Sequence, residues 1–280
     1  MDIGFGLCYF TDKLHLPERR LELLPGESAS QENLEKLAAV GIHHTETSYA
    51  FDWQRPEPDL RKLAQDADAA GVAIYSFHDD SFLTQLDVPD ADARQHAHDD
   101  CLAQARGMSF LDAKVMVIHI STPEDLETVT EAHLDMAAAS VEKLGKACHN
   151  LGILIAVENS PRPNSLPYNL KVVERTDPAY VGICIDAGHV HCVGLDVTEA
   201  VLQAGNRLRH LHIADNHGPE EGDVHLIPYE GTIDWRSFYQ ALERVDYPGV
   251  LMYEIIHRPN INQVLKQVTE SYAQMSGRVA

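Results

Sequence analysis

The chain has 280 residues and is 44% hydrophobic, which suits one large α/β domain and argues against general disorder. Its net charge of -21 makes a surface that repels phosphate backbones, so no nucleic-acid partner is expected. No apolar run approaches the ~18 residues of a membrane span. The N-terminus lacks a signal peptide's basic region and apolar core, and five scattered cysteines (Cys8, Cys101, Cys148, Cys184, Cys192) form no CxxC pair. Reduced thiols and a cytoplasmic location are the expectation.

Taken in order, Ile3 to Phe10 reads as a first strand. A loop with Pro17 and Pro25 leads to Ser28 or Ser30 as cap of a helix from Gln31 to Val40, stopped by Gly41. Ile42 to Glu46 is a second strand. Pro56 and Pro58 introduce a helix from about Asp59 to Ala70, ended by Gly71. Val72 to Phe77 is strand three, closing on His78. A long loop with Phe82 and Leu83 follows, and Asp90 opens a helix to about Gly107. Lys114 to Ile118 is strand four, ending at His119.

The clearest helix runs from Glu131 to Leu151, with Leu134, Ala137, Val141, Leu144, Cys148 and Leu151 on one face. Strand five ends at Glu158. A loop stiffened by Pro161, Pro163 and Pro167 precedes a short helix from about Asn169 to Arg175. Val181 to Ile185 is a β-branched run ending on Asp186, after which Ala187 and Gly188 are expected to turn the chain into His189 and His191. A helix spans Asp196 to Ala204. Arg207 to Ile213 is strand seven, carrying His210 and His212. The loop from Ala214 to Ile233 leads to Asp234, cap of a helix to about Val245. Strand eight starts at Pro248-Gly249 and ends at Glu254, and a last helix covers about Asn260 to Met275.

Eight strand–helix units in strict alternation predict parallel strands with right-handed crossovers, and eight point to a closed (β/α)8 TIM barrel. Such a barrel takes about 250 residues, so residues 1–280 are expected to form one domain. The competing fold, an open doubly wound sheet, usually has fewer units and a glycine-rich phosphate turn; no GxGxxG or GxxxxGK[ST] is present.

Six consecutive strands end on ligand-capable side chains: His78, His119, Glu158, Asp186 with His189, His212 and Glu254, with Asp223-Val-His225 in the loop after strand seven. The C-terminal mouth of a barrel would collect them in one basin. Neutral imidazoles and carboxylates are ligands for a divalent ion such as Zn, Mn or Co, and crowded carboxylates repel unless a cation sits among them. Glu158, Asp186, His212 and Glu254 are the expected metal ligands. His78, His119, His189, Asp223 and His225 are either further ligands or partners for substrate hydroxyls. Glu46 is a weaker candidate. His15, His43, His96, His98, His133, His149 and His217 read as surface or outer residues.

The stretches Val117-Ile-His119, Ala156-Val-Glu158-Asn159, Cys184-Ile-Asp186-Ala-Gly-His189, Leu211-His212-Ile-Ala-Asp215, Asp223-Val-His225, Gly231-Thr-Ile-Asp234-Trp235 and Tyr253-Glu254 span nearly the whole chain. In them the sequence resembles the xylose-isomerase-like TIM-barrel superfamily, which holds sugar isomerases, sugar epimerases, inosose dehydratases and zinc AP endonucleases. The resemblance to epimerase-like members implies one divalent ion (Mn, Co, Mg or Zn) on Glu158, Asp186, His212 and Glu254. It also implies that the two glutamates act as the acid/base pair and that His189 contacts substrate. An arginine usual two residues after the matching histidine is here Ile227, which puts the usual ketohexose contact in question. The AP endonuclease family 2 members hold up to three Zn ions, and all nine of their ligand positions are compatible here: the four above with His78, His119, His189, Asp223 and His225. Few basic residues (Arg162, Lys171, Arg258) stand near the mouth.

The function expected is a divalent-metal-dependent isomerase or epimerase of a sugar, keto-sugar or polyol, working through an enediolate. A dehydratase on the same site and a multi-zinc phosphoester hydrolase are the alternatives. A non-enzymatic sugar-binding protein is a further, weaker one. The partners expected are a small-molecule carbohydrate and, for oligomers, a second copy of the chain.

Overall fold

The structure, a computed structural model, describes residues 1–6, 30–47, 54–79, 84–255 and 260–277. Eight parallel strands close a barrel in sequence order: β1 (Asp2–Gly6), β2 (His44–Thr47), β3 (Ala73–His78), β4 (Val115–Ile118), β5 (Leu154–Glu158), β6 (Val181–Asp186), β7 (Leu208–Ile213) and β8 (Val250–Tyr253). β1 pairs with both β2 and β8, so no edge is left open. The helices are α1 (Gln31–Ala39), α2 (Glu57–Ala70), α3 (Ala91–Ser109), α4 (Glu131–His149), α5 (Ser165–Glu174), α6 (Ala187–Cys192), α7 (Val197–Ala204), α8 (Trp235–Arg244) and α9 (Ile261–Met275). The chain is thus the (β/α)8 barrel that the alternation predicts.

Strands filled from within and covered from outside carry continuous apolar runs, and β4 and β6 are buried at every position. The expected face of α4 packs inward through Leu134, Ala137, Val141, Leu144 and Cys148. Side-chain oxygens of Ser30, Asp90, Thr130, Asp196, Asp234 and Asn260 cap the helices that follow them. Cys101, Cys148, Cys184 and Cys192 are buried free thiols. Among the described residues no helix is long and apolar enough to cross a membrane.

Two local expectations are corrected. Ala187-Gly188 does not turn the chain; it opens α6, because the Asp186 carboxylate accepts the His189 N–H at 2.6 Å and caps the helix. The helix after β5 begins at Ser165, not Asn169. Pro167 falls in its first turn, where a missing N–H costs nothing. Cys8, Pro17, Pro25, Ser28, Phe82, Leu83, Arg258 and the second half of the predicted first strand lie outside the described residues.

The long connection from β7 to α8 is tied down by one buried carboxylate. Asp215 accepts four N–H groups: Asn216 (2.9 Å), Tyr229 (2.9 Å), Ile233 (3.2 Å) and the Trp235 indole (2.8 Å). Its backbone also pairs with Leu226 in both directions, which sets His225 at the barrel mouth. Only glycine fits at 231, since a Cβ there would lie 2.3 Å from both the Asn216 carbonyl and an Asp215 carboxylate oxygen. Gly231→Ala should therefore displace this loop and lower stability by about 1–3 kcal/mol, the scale of overpacking. An unchanged urea midpoint would show that the loop yields freely.

Candidate metal centre

Six strands deliver the predicted residues to the C-terminal mouth. His78, Glu158 and Asp186 are the last residues of β3, β5 and β6; His119 and Glu254 stand one past β4 and β8; His212 is the penultimate residue of β7. Ligand atoms of Glu158, Asp186, His212 and Glu254 all lie within 4.8 Å of one another, and all four side chains are buried. His212 Nδ1 is 2.9 Å from Glu158 and 3.4 Å from Glu254. Asp186 keeps one carboxylate oxygen for the cap on α6, and its other oxygen is buried without a partner. Asn159 holds the tips of β5 and β6 in register, its amide bonding both the N–H and the carbonyl of Asp186 (3.0 and 3.2 Å).

Four more histidines surround this group with one design. The Nδ1 atoms of His78, His119, His189 and His225 each meet a backbone carbonyl, those of Asp79 (3.0 Å), Glu158 (3.2 Å), Asn159 (2.8 Å) and Glu254 (2.7 Å). A carbonyl only accepts, so each Nδ1 carries the proton and a neutral ring presents a bare Nε2. Those Nε2 atoms face carboxylates. His78 and His119 stand 3.1 and 3.4 Å from Glu158. His189 and His225 stand 3.3 and 3.0 Å from Asp223. A bare lone pair repels a carboxylate; a second ring proton or a cation between them removes the conflict. His78–His119–Glu158 and Asp186–His189–His225 accordingly form two further groups of convergent ligand atoms.

The charges show the same tension. Burial would raise Glu158, but His212, His119 and His78 hold it well below the ordinary carboxylate range. Burial pushes Asp186 up to about 7, with Glu254 and Glu158 adding to the rise and His189 and His225 opposing it. Burial would lower His78, yet the Glu158 carboxylate outweighs it and lifts the ring to about 9. Asp223 and Glu254 do the same for His225, also to about 9. For His119 burial wins, and the ring falls to about 4. Oxygen- and imidazole-rich, buried, and including an orphaned carboxylate oxygen, the donor set fits a divalent cation.

All nine predicted site residues thus meet at one mouth. Glu46, the weaker candidate, lies buried with a carboxylate oxygen 2.9 Å from His212 Nε2, and sequence reasoning assigned no role to His210 or Asn159. The signal for His210 was its spacing of two from His212, which puts both on one face of β7. His98, read as an outer residue, is buried, because α3 packs that face on the barrel. His43, His96, His149 and His217 are exposed and His133 half-buried as expected, while His15 lies outside the described residues. Arg162 and Lys171 are exposed.

A family model described as xylose isomerase-like TIM barrel matches residues 34–274. The chain belongs to that family. It is 23% identical over 266 residues to an inosose dehydratase of Geobacillus thermodenitrificans, covering 85% of this chain and 86% of that one. It is 26% identical over 160 residues to a ketose 3-epimerase of Arthrobacter globiformis, covering 55% of this chain and 52% of that protein. It spans a similar share, 54%, of an uncharacterised Sinorhizobium fredii protein. Among solved structures, the IolI protein with a bound zinc atom superposes with a TM-score of 0.74 at 15% identity, over 99% of both chains.

The raised groups fix a pH dependence for the metal-free chain. His78 and His225 are held near 9 in the fold against an ordinary 6.5, so their stabilisation is complete below about pH 6.5 and is lost as pH rises through 9. Asp186 acts in the same sense, since the fold retains its proton to about 7. Urea midpoints in excess chelator should fall steadily from about pH 6.5 to 9. Midpoints that stay flat or rise over that window would contradict the charge assignments.

Proposed function

We propose that the chain is a divalent-metal-dependent isomerase or epimerase of a sugar, keto-sugar or polyol, acting by proton transfer at a carbon beside a carbonyl. The observation that carries this reading is the convergence of two buried glutamates from separate strands, Glu158 and Glu254, on one site with Asp186 and His212. The ketose 3-epimerase and inosose dehydratase relatives support the substrate class, and the zinc of the IolI protein supports the ion. Glu158, Asp186, His212 and Glu254 hold the ion, whether Mn, Co, Mg or Zn. When bound, it draws electron density from the substrate's oxygens and acidifies the neighbouring C–H. Glu158, kept ionised by its histidines, serves as the base that takes the proton. Glu254, arriving three strands further round the barrel, delivers a proton from its own side, which epimerisation requires and one base does not readily supply. Loss of a β-hydroxyl after the same first step makes the reaction a dehydration. The inosose dehydratase match, over most of both chains, keeps that outcome within the reading.

The multi-zinc phosphoester hydrolase is a second reading with its own observation, the two histidine groups whose Nε2 atoms face carboxylates. Stoichiometry separates the two: about one tightly held ion per chain for the first, about three for the second. The -21 net charge favours the first, so purified protein should hold about one ion and should not nick duplex DNA at an abasic site. Three zinc ions with chelator-sensitive nicking would reverse the order.

Glu254→Gln tests the mechanism directly. The amide keeps an oxygen and the size of the side chain but cannot take a proton. Turnover of keto-sugars or inososes should drop by about 10²-fold or more, while a divalent ion stays bound. Exchange of the substrate α-proton with D₂O should persist through Glu158. Near-wild-type turnover with metal retained would remove the two-glutamate mechanism.

A further inference from the structure

The β5–β6 ladder ends short of the site it carries. Its last partners are Glu158 and Cys184, yet Asp186 stands two residues further along β6, fully buried. Past Glu158 the β5 backbone turns to other partners. The Asn159 carbonyl meets His189 Nδ1 at 2.8 Å, and the Ser160 N–H donates to the Ser165 hydroxyl at 2.8 Å. A buried peptide group beyond the end of a ladder still needs a donor and an acceptor. The Asn159 side chain supplies both. Its Oδ1 accepts the Asp186 N–H at 3.0 Å, and its Nδ2 donates to the Asp186 carbonyl at 3.2 Å. A buried side chain thus takes the place of the next strand residue and frees the backbone to aim a ring.

We propose that Asn159 is a positioning residue for metal binding: its amide fixes the Asp186 peptide, and with it the carboxylate oxygen left for the ion. The proposal rests on the metal reading above. Asp186 Oδ1 accepts the His189 N–H at 2.6 Å, so Oδ2 is the oxygen left for the centre, buried and without a partner. No hydrogen bond aims that oxygen; its direction follows from the Asp186 backbone and from the cap on Oδ1. The cap is local, three residues along the chain, and moves with the same segment. On the β5 side, Asn159 is what ties that segment down. Its carbonyl holds the His189 ring as well, so one residue fixes both Asp186 and His189 against its own neighbour Glu158. The task calls for a donor and an acceptor on one short side chain, which an amide has and a carboxylate, a hydroxyl at Cβ or an aliphatic group does not.

Asn159→Ala, read beside a control, separates this role from packing. The control is Val141→Ala, which opens a cavity in the face of α4 that packs on the barrel and leaves the mouth untouched. Zinc affinity, measured by competition with a chromophoric chelator, should fall roughly 10–100-fold in Asn159→Ala, the usual loss when a ligand's supporting partner is removed. Val141→Ala should keep wild-type affinity even where its urea midpoint falls as far. Cobalt-loaded Asn159→Ala should also show an altered visible spectrum, because one oxygen ligand has moved, while cobalt-loaded Val141→Ala should match the wild type. A measurement on the wild type needs no variant to fold: in excess chelator the Asp186 amide should stay protected from exchange with D₂O. An amide that exchanges freely until zinc is added would show that the ion, not Asn159, orders this peptide. That result, wild-type zinc affinity in Asn159→Ala, or an equal loss in Val141→Ala overturns the proposal and leaves the metal reading intact. A wild-type chain that takes up no zinc, manganese or cobalt overturns the metal reading and this proposal with it.

Discussion

The burial of Glu158 is the constraint to which the rest of the barrel mouth answers. One of its oxygens stands 3.1 Å from His78 and 3.4 Å from His119; the other stands 2.9 Å from His212 and 3.6 Å from His189. Such a carboxylate, shut off from water, survives ionised only if positive charge or hydrogen-bond donors meet it on both sides. The four rings come from β3, β4, β7 and the start of α6, so closing the barrel is what brings them together. The fold and the site are one electrostatic problem: opening the barrel at any of these strands would leave a carboxylate or a ring without its partner.

Backbone atoms at the strand tips do much of the aiming. The carbonyls of Asp79, Glu158, Asn159 and Glu254 orient four rings, and each belongs to a residue that ends a strand or follows one. Ring orientation is therefore as rigid as the barrel itself. Asp186 carries a double duty: one oxygen caps α6 and so places His189, and the other is left for the centre. Asp215 plays the matching part for the β7–α8 connection, where four donors on one carboxylate hold the segment bearing Asp223 and His225.

How far the sequence revealed this follows from the same physics. The barrel and the nine residues at its mouth were legible because an apolar run that ends on a carboxylate or histidine marks a strand tip. The helix α6 was not, because Gly188 is a poor helix former and the cap that starts the helix depends on Asp186 pointing forward along the chain. Glu46 stayed a weaker candidate and His210 had no role assigned for a different reason. In a strand covered on both faces, alternation disappears, so the sequence does not say which polar residue points into the bore and which stands at the rim. His98 was misjudged because its helix has a weakly segregated pattern, with buried Gln104 and His98 among the apolar contacts.

The anchoring of the four outer rings bears on how the site discriminates among ligands. A neutral histidine with Nδ1 committed to a carbonyl offers one lone pair at Nε2. A substrate hydroxyl can donate to that lone pair, and a cation can bind it, but a phosphate oxygen cannot approach it without an intervening positive charge. His189 and His225 share Asp223, and the carboxylates around them raise both rings, so without ions on them each Nε2 carries a proton that faces Asp223. A group entering there meets donors and an acceptor side by side. Ions on the rings would take the place of those protons and leave the Nε2 atoms nothing to donate. The number of ions held by an unchanged set of side chains therefore decides whether this wall offers protons or metal.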